Sequence, residues 1–267
     1  MTQILDNCRL DLEDRSLLQR LPELPAEFLT YSRPAEVGVD WHKPENQGPI
    51  GSCQGNDLTS CAERLQFVRT RDKAKVVQLS RIFAYLATQK IDGLLGRGDV
   101  GSTITGGCKL LLTSGAPPEE LTSYPSSYPS RSSIERILSA ENYKAGEPYK
   151  AVSTWKVPED PEESMNFIGG GGAISIGIAW YSGLIPRDRI VKSFSPSGRT
   201  GGHAMAVLGY TTGGNLVAVN SHGDGKYEIT PNAWRQIVRH QRSACVGLVG
   251  TSEPTPVDWI SSSPWSD

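Results

Sequence analysis

The chain lacks any long apolar run, and this absence excludes membrane-spanning helices. A helix that crosses a bilayer needs roughly 20 consecutive, predominantly apolar residues, and no segment of the sequence approaches that length. Residues 6–15 carry six charged side chains, so we do not expect the apolar region of a secretory signal peptide there. We therefore expect a soluble, cytoplasmic protein that does not bind a membrane.

The chain also lacks an excess of charge of either sign. Its 27 basic and 29 acidic residues give a formal net charge of −2. Proteins that bind nucleic acid through phosphates generally show a basic excess, so we do not expect nucleic acid as a partner. Apolar residues make up 37% of the chain, beside 28 glycines and 18 prolines. This composition favours a loop-rich globular protein over a coiled coil or a disordered chain.

Cysteine is scarce and widely spaced. The five cysteines are Cys8, Cys53, Cys61, Cys108 and Cys245. An odd number at wide spacing is a poor framework for disulfides. No Cys-x-x-Cys or His-x-x-His pair is present, so we expect no metal site, and nothing in the sequence requires an organic cofactor. Four of these cysteines are interpreted as small, buried or half-buried apolar residues; the exception is Cys53.

Cys53 lies in a setting that suits a nucleophile. It follows Gln47 by six residues in Gln-Gly-Pro-Ile-Gly-Ser-Cys-Gln-Gly, which leads into a helical pattern. The unpaired N–H groups and the positive dipole at a helix start stabilise a thiolate. Gln47 offers a hydrogen bond to an oxyanion. Far downstream, His203 in Gly-Gly-His-Ala-Met offers a base, and Asn220 in Val-Asn-Ser-His-Gly offers an amide that orients it.

In type and order these motifs resemble those of the papain-like cysteine peptidases, over about residues 38–250. That family carries Gln-Gly-x-x-Gly-Ser-Cys near the start, then a Gly-His-Ala-like strand, then Asn-Ser-Trp-Gly. The resemblance implies a peptidase without a cofactor that acts on a peptide or protein. It implies Cys53 as the nucleophile, His203 as general acid and base, and Asn220 as the residue that orients the imidazole. Gln47 and the backbone N–H of Cys53 would form the oxyanion hole.

The same resemblance implies which residues line the cleft. The substrate would be bound by Gly101, Ser102, Gly202 and Ala204. No acidic residue stands directly before His203, which predicts a neutral or apolar primary pocket.

The order of the elements and the resemblance lead to the same fold class. Helical patterns come first and strands later, which predicts an α+β protein with two lobes. We expect a helical lobe at about 38–121 and an antiparallel, β-rich lobe at about 150–250, with the cleft between them. A Ser/Tyr/Pro connector at 122–132 would join the lobes. An N-terminal arm at 1–37, too short for an inhibitory pro-region, would pack on the surface, and 251–267 would form a flexible tail.

Local patterns predict five helices and five strands. The helices are expected at 53–66, 80–94, 105–114, 162–167 and 231–240, and the strands at 173–180, 203–210, 216–220, 227–229 and 244–249. His42 and His240 show no partner pattern and are expected at the surface.

Three positions depart from the family pattern. Gln54 and His222 stand where many members carry tryptophan, and Ile50 stands where many carry a disulfide cysteine. The loss of that cysteine agrees with a reducing compartment. An imidazole covers less area than an indole and titrates near neutral pH, which predicts lower or more pH-dependent activity.

Other functions use the same residues. A catalytically weak component of a larger assembly, such as a phage virion, is the main alternative, with both terminal arms contacting other subunits. Transfer of the acyl group to an amine instead of water is another. The segment 51–55 also fits the Gly-x-nucleophile-x-Gly elbow of α/β-hydrolases, but the residues before it are polar and interrupted by proline, which disfavours the buried strand that such an elbow needs.

Overall fold

The computed structural model describes residues 8–30, 32–181, 183–197, 201–223 and 225–250. The predicted tail at 251–267 lies outside the described residues, as do residues 1–7 of the predicted arm. No helix within the described ranges is long and apolar enough to cross a bilayer.

The helices are concentrated in the first two thirds of the chain. They are α1 (Arg15–Gln19), α2 (Ala26–Leu29), α3 (Cys53–Thr70), α4 (Arg81–Ile91), α5 (Ile104–Thr113), α6 (Arg131–Ile137), α7 (Ala140–Gly146), α8 (Pro161–Gly169) and α9 (Pro231–Arg239). Short 3₁₀-helices lie at Lys73–Lys75, Glu119–Leu121 and Glu147–Tyr149.

The strands form one seven-stranded sheet of order β1-β7-β2-β4-β5-β6-β3. They are β1 (Ser153–Lys156), β2 (Ala173–Trp180), β3 (Ile190–Val191), β4 (Gly201–Tyr210), β5 (Leu216–Asn220), β6 (Gly225–Ile229) and β7 (Ala244–Val249). All pairings are antiparallel except that of the short β3 with β6. With α3, α4 and α5 in one lobe and this sheet in the other, the predicted two-lobed α+β fold is confirmed.

Helix α3 lies at the centre of the molecule. It packs against β2 and β4 of the sheet and against α4 and α5 of its own lobe. Every residue of Cys53–Phe67 is buried, so its polar side chains find partners inside the protein. The hydroxyls of Thr59 and Ser60 donate to backbone carbonyls one turn earlier. The carboxylate of Glu63 accepts the backbone N–H of Leu79 at 2.9 Å.

Side-chain caps fix where the next two helices begin. Ser80 Oγ accepts the backbone N–H of Phe83 at the start of α4. Thr103 Oγ1 does the same for Gly106 at the start of α5. Caps of this kind satisfy backbone donors that the helix itself leaves unpaired. The turn between α4 and α5, which carries two of the predicted substrate-binding residues, is closed at its two ends because the Asp92 carboxylate accepts the backbone N–H and the hydroxyl of Thr103, both at 2.8 Å.

The predicted elements are all present, with ends within four residues of those expected. The additional helices and strands have seven residues or fewer, so each carries little periodic signal. The prediction for His42 was wrong. Its side chain is buried because Nε2 lies 2.9 Å from Ser60 Oγ and the ring packs edge-on against Trp41. His240 is partly exposed.

The close contact between α3 and α4 provides a test of this packing. A Cβ on Gly55 would lie 2.6 Å from the carbonyl oxygen of Arg81 and 2.9 Å from Cβ of Tyr85. Gly→Ala normally stabilises a helix by about 1 kcal/mol. For Gly55→Ala we instead expect a loss of about 1–3 kcal/mol, because the helices must separate. Urea unfolding measures the change, with the exposed Arg69→Ala in the same helix as control. A Gly55→Ala protein as stable as the parent would contradict the packing.

Candidate active site

Cys53 is the first residue of α3, as the sequence predicts. The turn before it is fixed because the backbone N–H of Gly51 donates to both carboxylate oxygens of Asp99, at 3.1 and 2.9 Å. Asp99 also accepts the Tyr85 hydroxyl at 2.6 Å. The thiol therefore lies at the positive end of a buried helix dipole, and its side chain is fully buried. Cys53 shares a buried cluster with Ala204 of β4.

His203 and Asn220 lie on the sheet strands β4 and β5 and bond directly to each other. His203 Nε2 and Asn220 Oδ1 are 2.7 Å apart. Asn220 Oδ1 also accepts the backbone N–H of Ser221 at 3.0 Å, which identifies this atom as the oxygen. Because the oxygen can only accept, Nε2 carries the hydrogen of the His203–Asn220 bond. The amide therefore fixes both the tautomer and the orientation of the imidazole.

Two aromatic rings pack against His203. The Trp180 and His222 rings each lie 4.5 Å from the His203 ring, centre to centre, and 5.4 Å from one another. His222, which stands where many family members carry tryptophan, therefore packs against His203. Trp180, at the end of β2, supplies an indole that covers His203, and the sequence assigned it no role. Together these rings leave His203 fully buried.

Gln47 is tied to the turn that follows Asn220. Its backbone N–H donates to Ser221 O at 2.7 Å, and its side-chain oxygen accepts the Ser221 hydroxyl at 2.6 Å. Its Nε2 donates to the carbonyl of Ile50 at 2.9 Å, which uses one of its two hydrogens. Gln47 therefore connects the loop before the nucleophile to the β-rich lobe.

Gln54 supports the turn that faces the cleft. Its side-chain oxygen accepts the Ser102 hydroxyl at 2.9 Å, and it packs so closely on α5 that a Cβ on Gly107 would lie 1.8 Å from its Nε2. Gln54, which stands where many family members carry tryptophan, is therefore buried and supports this turn from inside the protein. The backbone groups of Gly101 are directed into the helical lobe, with its N–H bonded to the Tyr85 hydroxyl at 3.0 Å. Ser102 is the residue of this turn that presents its carbonyl outward.

The N-terminal arm occupies the cleft between the lobes. The backbone N–H of Cys8 donates to Gly202 O, and that of Arg9 donates to Ser102 O, each at 2.9 Å. A Cβ on Gly202 would lie 1.8 Å from the carbonyl oxygen of Cys8, so only glycine allows this approach. The side chain of Cys8 is buried. Two of the four predicted substrate-binding residues, Ser102 and Gly202, therefore lie against the arm.

The arm is anchored to both lobes. The carboxylate of Glu13 accepts the backbone N–H groups of Ile104 and Thr105, at 2.7 and 3.0 Å, at the start of α5. Desolvation by burial raises the pKa of Glu13 to about 7, and these hydrogen bonds oppose the rise. The Arg15 guanidinium donates to the carbonyls of Leu10, Arg242 and Ser243, at 2.7 to 3.0 Å. The arm is thus a strap across the cleft.

An acidic side chain lies one helical turn beyond the nucleophile. Asp57 accepts the hydroxyl of Ser175 from β2, and its other oxygen lies 3.8 Å from Cys61 Sγ. Desolvation by burial raises the pKa of Asp57 to about 8. Burial also raises the pKa of the Cys8 thiol well above its usual range. One turn beyond Cys53, α3 therefore contains a carboxyl that favours its neutral form at neutral pH, which the sequence did not indicate.

No family model matches the chain, and no curated protein matches it. Solved structures do match. Xylellain, a cysteine protease from Xylella fastidiosa, superposes with a TM-score of 0.70 at 20% identity, covering 95% of this chain and 99% of that one. The Carica candamarcensis cysteine protease CMS1MS2, solved with E-64, gives 0.58 at 16%, covering 82% and 99%. Procathepsin B from Trypanosoma congolense gives 0.62 at 15%, covering 93% and 87%. The chain has the papain-like cysteine peptidase fold.

Asp57 makes the stability of the protein depend on pH. Its folded pKa of about 8 lies above its ordinary value of 3.8, so the folded state keeps a proton that the unfolded state releases. Its contribution to stability is complete below pH about 4 and is lost as pH rises through about 8. As pH rises through this range, we expect the free energy of unfolding to fall less in Asp57→Asn than in the parent protein. Chemical unfolding at several pH values measures this; parallel curves for the two proteins would contradict it.

Arg15 offers a test of the strap. Hydrogen bonds from a charged donor contribute about 1.5–3 kcal/mol each, so Arg15→Ala should shift the arm toward release by roughly tenfold or more. We expect alkylation of Cys53 to accelerate by a similar factor. Arg20→Ala is the control, because that side chain of the same arm is exposed and donates a hydrogen bond to Ser16, a neighbour in its own helical turn. Equal rates for the two variants would show that Arg15 does not hold the cleft closed.

Proposed function

We propose that the chain is a cysteine peptidase that hydrolyses peptide bonds through a thioester on Cys53. The observation that carries the proposal is the 2.7 Å hydrogen bond between His203 Nε2 and Asn220 Oδ1, on strands packed against the helix that Cys53 opens. That bond fixes the imidazole in one tautomer, as acid–base catalysis requires. The fold shared with solved cysteine proteases supports the same assignment.

His203 moves one proton in each half of the proposed reaction. The Cys53 thiolate attacks the carbonyl carbon and forms a C–S bond, and the C–N bond breaks as the imidazolium gives its proton to the leaving amine. Water then attacks the thioester, His203 takes a proton from it, and the thiolate leaves. Because Nε2 donates to Asn220, Nδ1 is the nitrogen that exchanges the proton.

The oxyanion would be stabilised by two donors. One is the backbone N–H of Cys53 at the start of α3, and the other is the Gln47 amide, whose position is set by Ser221 and Ile50. One such donor is worth about 3 kcal/mol of transition-state stabilisation. The pairing of Gln47 with the turn after Asn220 keeps this donor and His203 in one rigid unit.

The arm suggests how a substrate would lie. A peptide in the cleft would compete for the same carbonyls that the arm engages, those of Ser102 and Gly202. A Cβ on Gly177 would lie 3.1 Å from Cys8 Sγ and 2.7 Å from Cγ1 of Ile104, so the thiol lies beside a glycine and an apolar side chain. Surroundings of this kind would accept an apolar substrate residue, in agreement with the neutral pocket predicted from the sequence.

An epoxysuccinyl thiol inhibitor tests the proposal. We expect stoichiometric reagent to label Cys53 in the Arg15→Ala protein, faster than in the parent, and mass spectrometry locates the adduct. His203→Ala in the same background should reduce the rate at least about 100-fold, since general acid–base catalysis contributes that much or more. Cys61 and Cys108 serve as internal references because both are buried. Labelling of Cys53 no faster than these two would contradict a working nucleophile.

The alternative is a catalytically weak or silent component of a larger assembly such as a phage virion, with the terminal arms contacting other subunits. One observation favours it: the chain fills its own cleft with residues 8–10. Slow labelling in the Arg15→Ala protein would favour this role. Cytoplasmic or virion-associated localisation remains a prediction, as does the peptide substrate. If an amine instead of water accepted the acyl group, the product would be a new amide instead of a carboxylic acid.

A further inference from the structure

Three potential metal ligands converge outside the candidate active site, beneath the loop that carries Gln47. They are His42, Glu45 and Glu63, and one donor atom of each lies within 4.8 Å of the others. All three side chains are buried. Neither histidine spacing nor cysteine pairs announce this cluster, because Glu63 joins it from the middle of α3. We propose that these residues bind one divalent transition-metal ion, Zn²⁺ or Mn²⁺, as a structural site.

The environment of the Glu45 carboxylate indicates that a ligand binds here. Its side chain is 97% buried, since its relative exposure is 3%, and neither carboxylate oxygen has a hydrogen-bond partner among the described residues. Gln78 lies near enough to favour the charged form without hydrogen-bonding geometry. A buried carboxylate left in this state is costly. A cation between Glu45 and its neighbours would remove that cost.

Glu45 and Glu63 have no cation of their own among the described residues. Arg81 Nε lies 3.6 Å from Glu45, but it donates to Glu119 at 2.7 Å, and the same guanidinium makes a second bond to that carboxylate. Arg81 and Glu119 therefore neutralise each other. Burial raises the pKa of both Glu45 and Glu63, so without a metal the two carboxyls favour their neutral forms. A divalent ion that displaced their two protons would match the charge of the two carboxylates.

The donor set selects the class of metal. One imidazole and two carboxylates suit Zn²⁺ and Mn²⁺ better than Ca²⁺ or Mg²⁺, which prefer oxygen ligands alone. The Ser60 hydroxyl donates to Asn56 O, so it accepts a hydrogen from His42 Nε2 at 2.9 Å. On metal binding through Nε2, the N–H bond at that nitrogen would break and an N–H bond would form at Nδ1, so the ring would stay neutral in its other tautomer. No electron is transferred.

The ion would fasten the Gln47 loop to helix α3. The carbonyl of Glu45 accepts the backbone N–H of Gly223 at 2.9 Å, two residues before Gln47 pairs with Ser221. Glu63 is fixed in α3 by its bond from Leu79. A metal bridging Glu45 to Glu63 therefore joins the loop, the central helix and the turn after Asn220. The site does not require that the proposed peptidase activity exists.

Metal analysis tests the proposal without an activity assay. The full chain carries Cys53→Ala, because a thiolate beside His203 is itself a zinc ligand. After chelation and dialysis, Zn²⁺ and Mn²⁺ are titrated in separate calorimetry experiments, and bound metal is counted by mass spectrometry. Glu45→Gln removes one ligand and retains the shape of the side chain; Glu36→Gln, an exposed acid nearby, is the matched control.

We expect one equivalent of metal per chain and a Tm raised by about several degrees when the metal binds. Glu45→Gln should bind the metal at least about 100-fold more weakly, and Glu36→Gln should bind it as the parent does. Cobalt absorption gives an independent readout, since the imidazole ligand shifts the spectrum and His42→Ala should abolish the shift. Two results overturn the proposal: no bound metal, or equal binding in Glu45→Gln and Glu36→Gln. In the first case the carboxyls hold protons instead, as burial raises the pKa of Glu63 to about 8.

Discussion

The burial of helix α3 is the constraint on which the rest of this structure depends. A helix enclosed by sheet and helices on every side holds its first residue in place, and here that residue is Cys53. The same enclosure obliges each polar side chain along α3 to find a partner inside the protein. Asp57 bonds to Ser175 of the sheet, Ser60 bonds to His42, and Glu63 accepts a backbone N–H from Leu79, two residues before α4. These hydrogen bonds connect both lobes and the loop that carries Gln47 to helix α3.

The cleft depends on two backbone junctions that cross between the lobes. At one, residues 45–47 pair with 221–223, which keeps the proposed oxyanion donor beside the His203–Asn220 pair. At the other, Cys8 and Arg9 bond to a carbonyl on each side of the cleft. The first junction maintains the proposed catalytic geometry and the second covers it. Because the strap is held by ion–dipole and backbone bonds rather than covalently, its release is an equilibrium.

Much of the fold and of the candidate site was predictable because the signals are local. The segment around Cys53, the strand at His203 and the turn at Asn220 each carry a motif, and period-two and helical patterns located the main elements. Residues that act by tertiary contact gave no such signal. Trp180 covers His203 from another strand, Gln54 supports Ser102 across a turn, and His42 is buried because α3 places Ser60 beside it. The spacing of residues along the chain does not reveal those tertiary contacts.

We propose that Cys53 and His203 form one reactive pair in a site that the N-terminal arm covers. Ultraviolet absorbance of the thiolate in the Arg15→Ala protein, with Cys53→Ala subtracted, tests it most directly. We expect a signal equal to one thiolate to persist at pH about 5, below the usual ionisation of a thiol, and to disappear in His203→Ala. Absence of that signal until alkaline pH, or its persistence without His203, would contradict a reactive pair of Cys53 and His203.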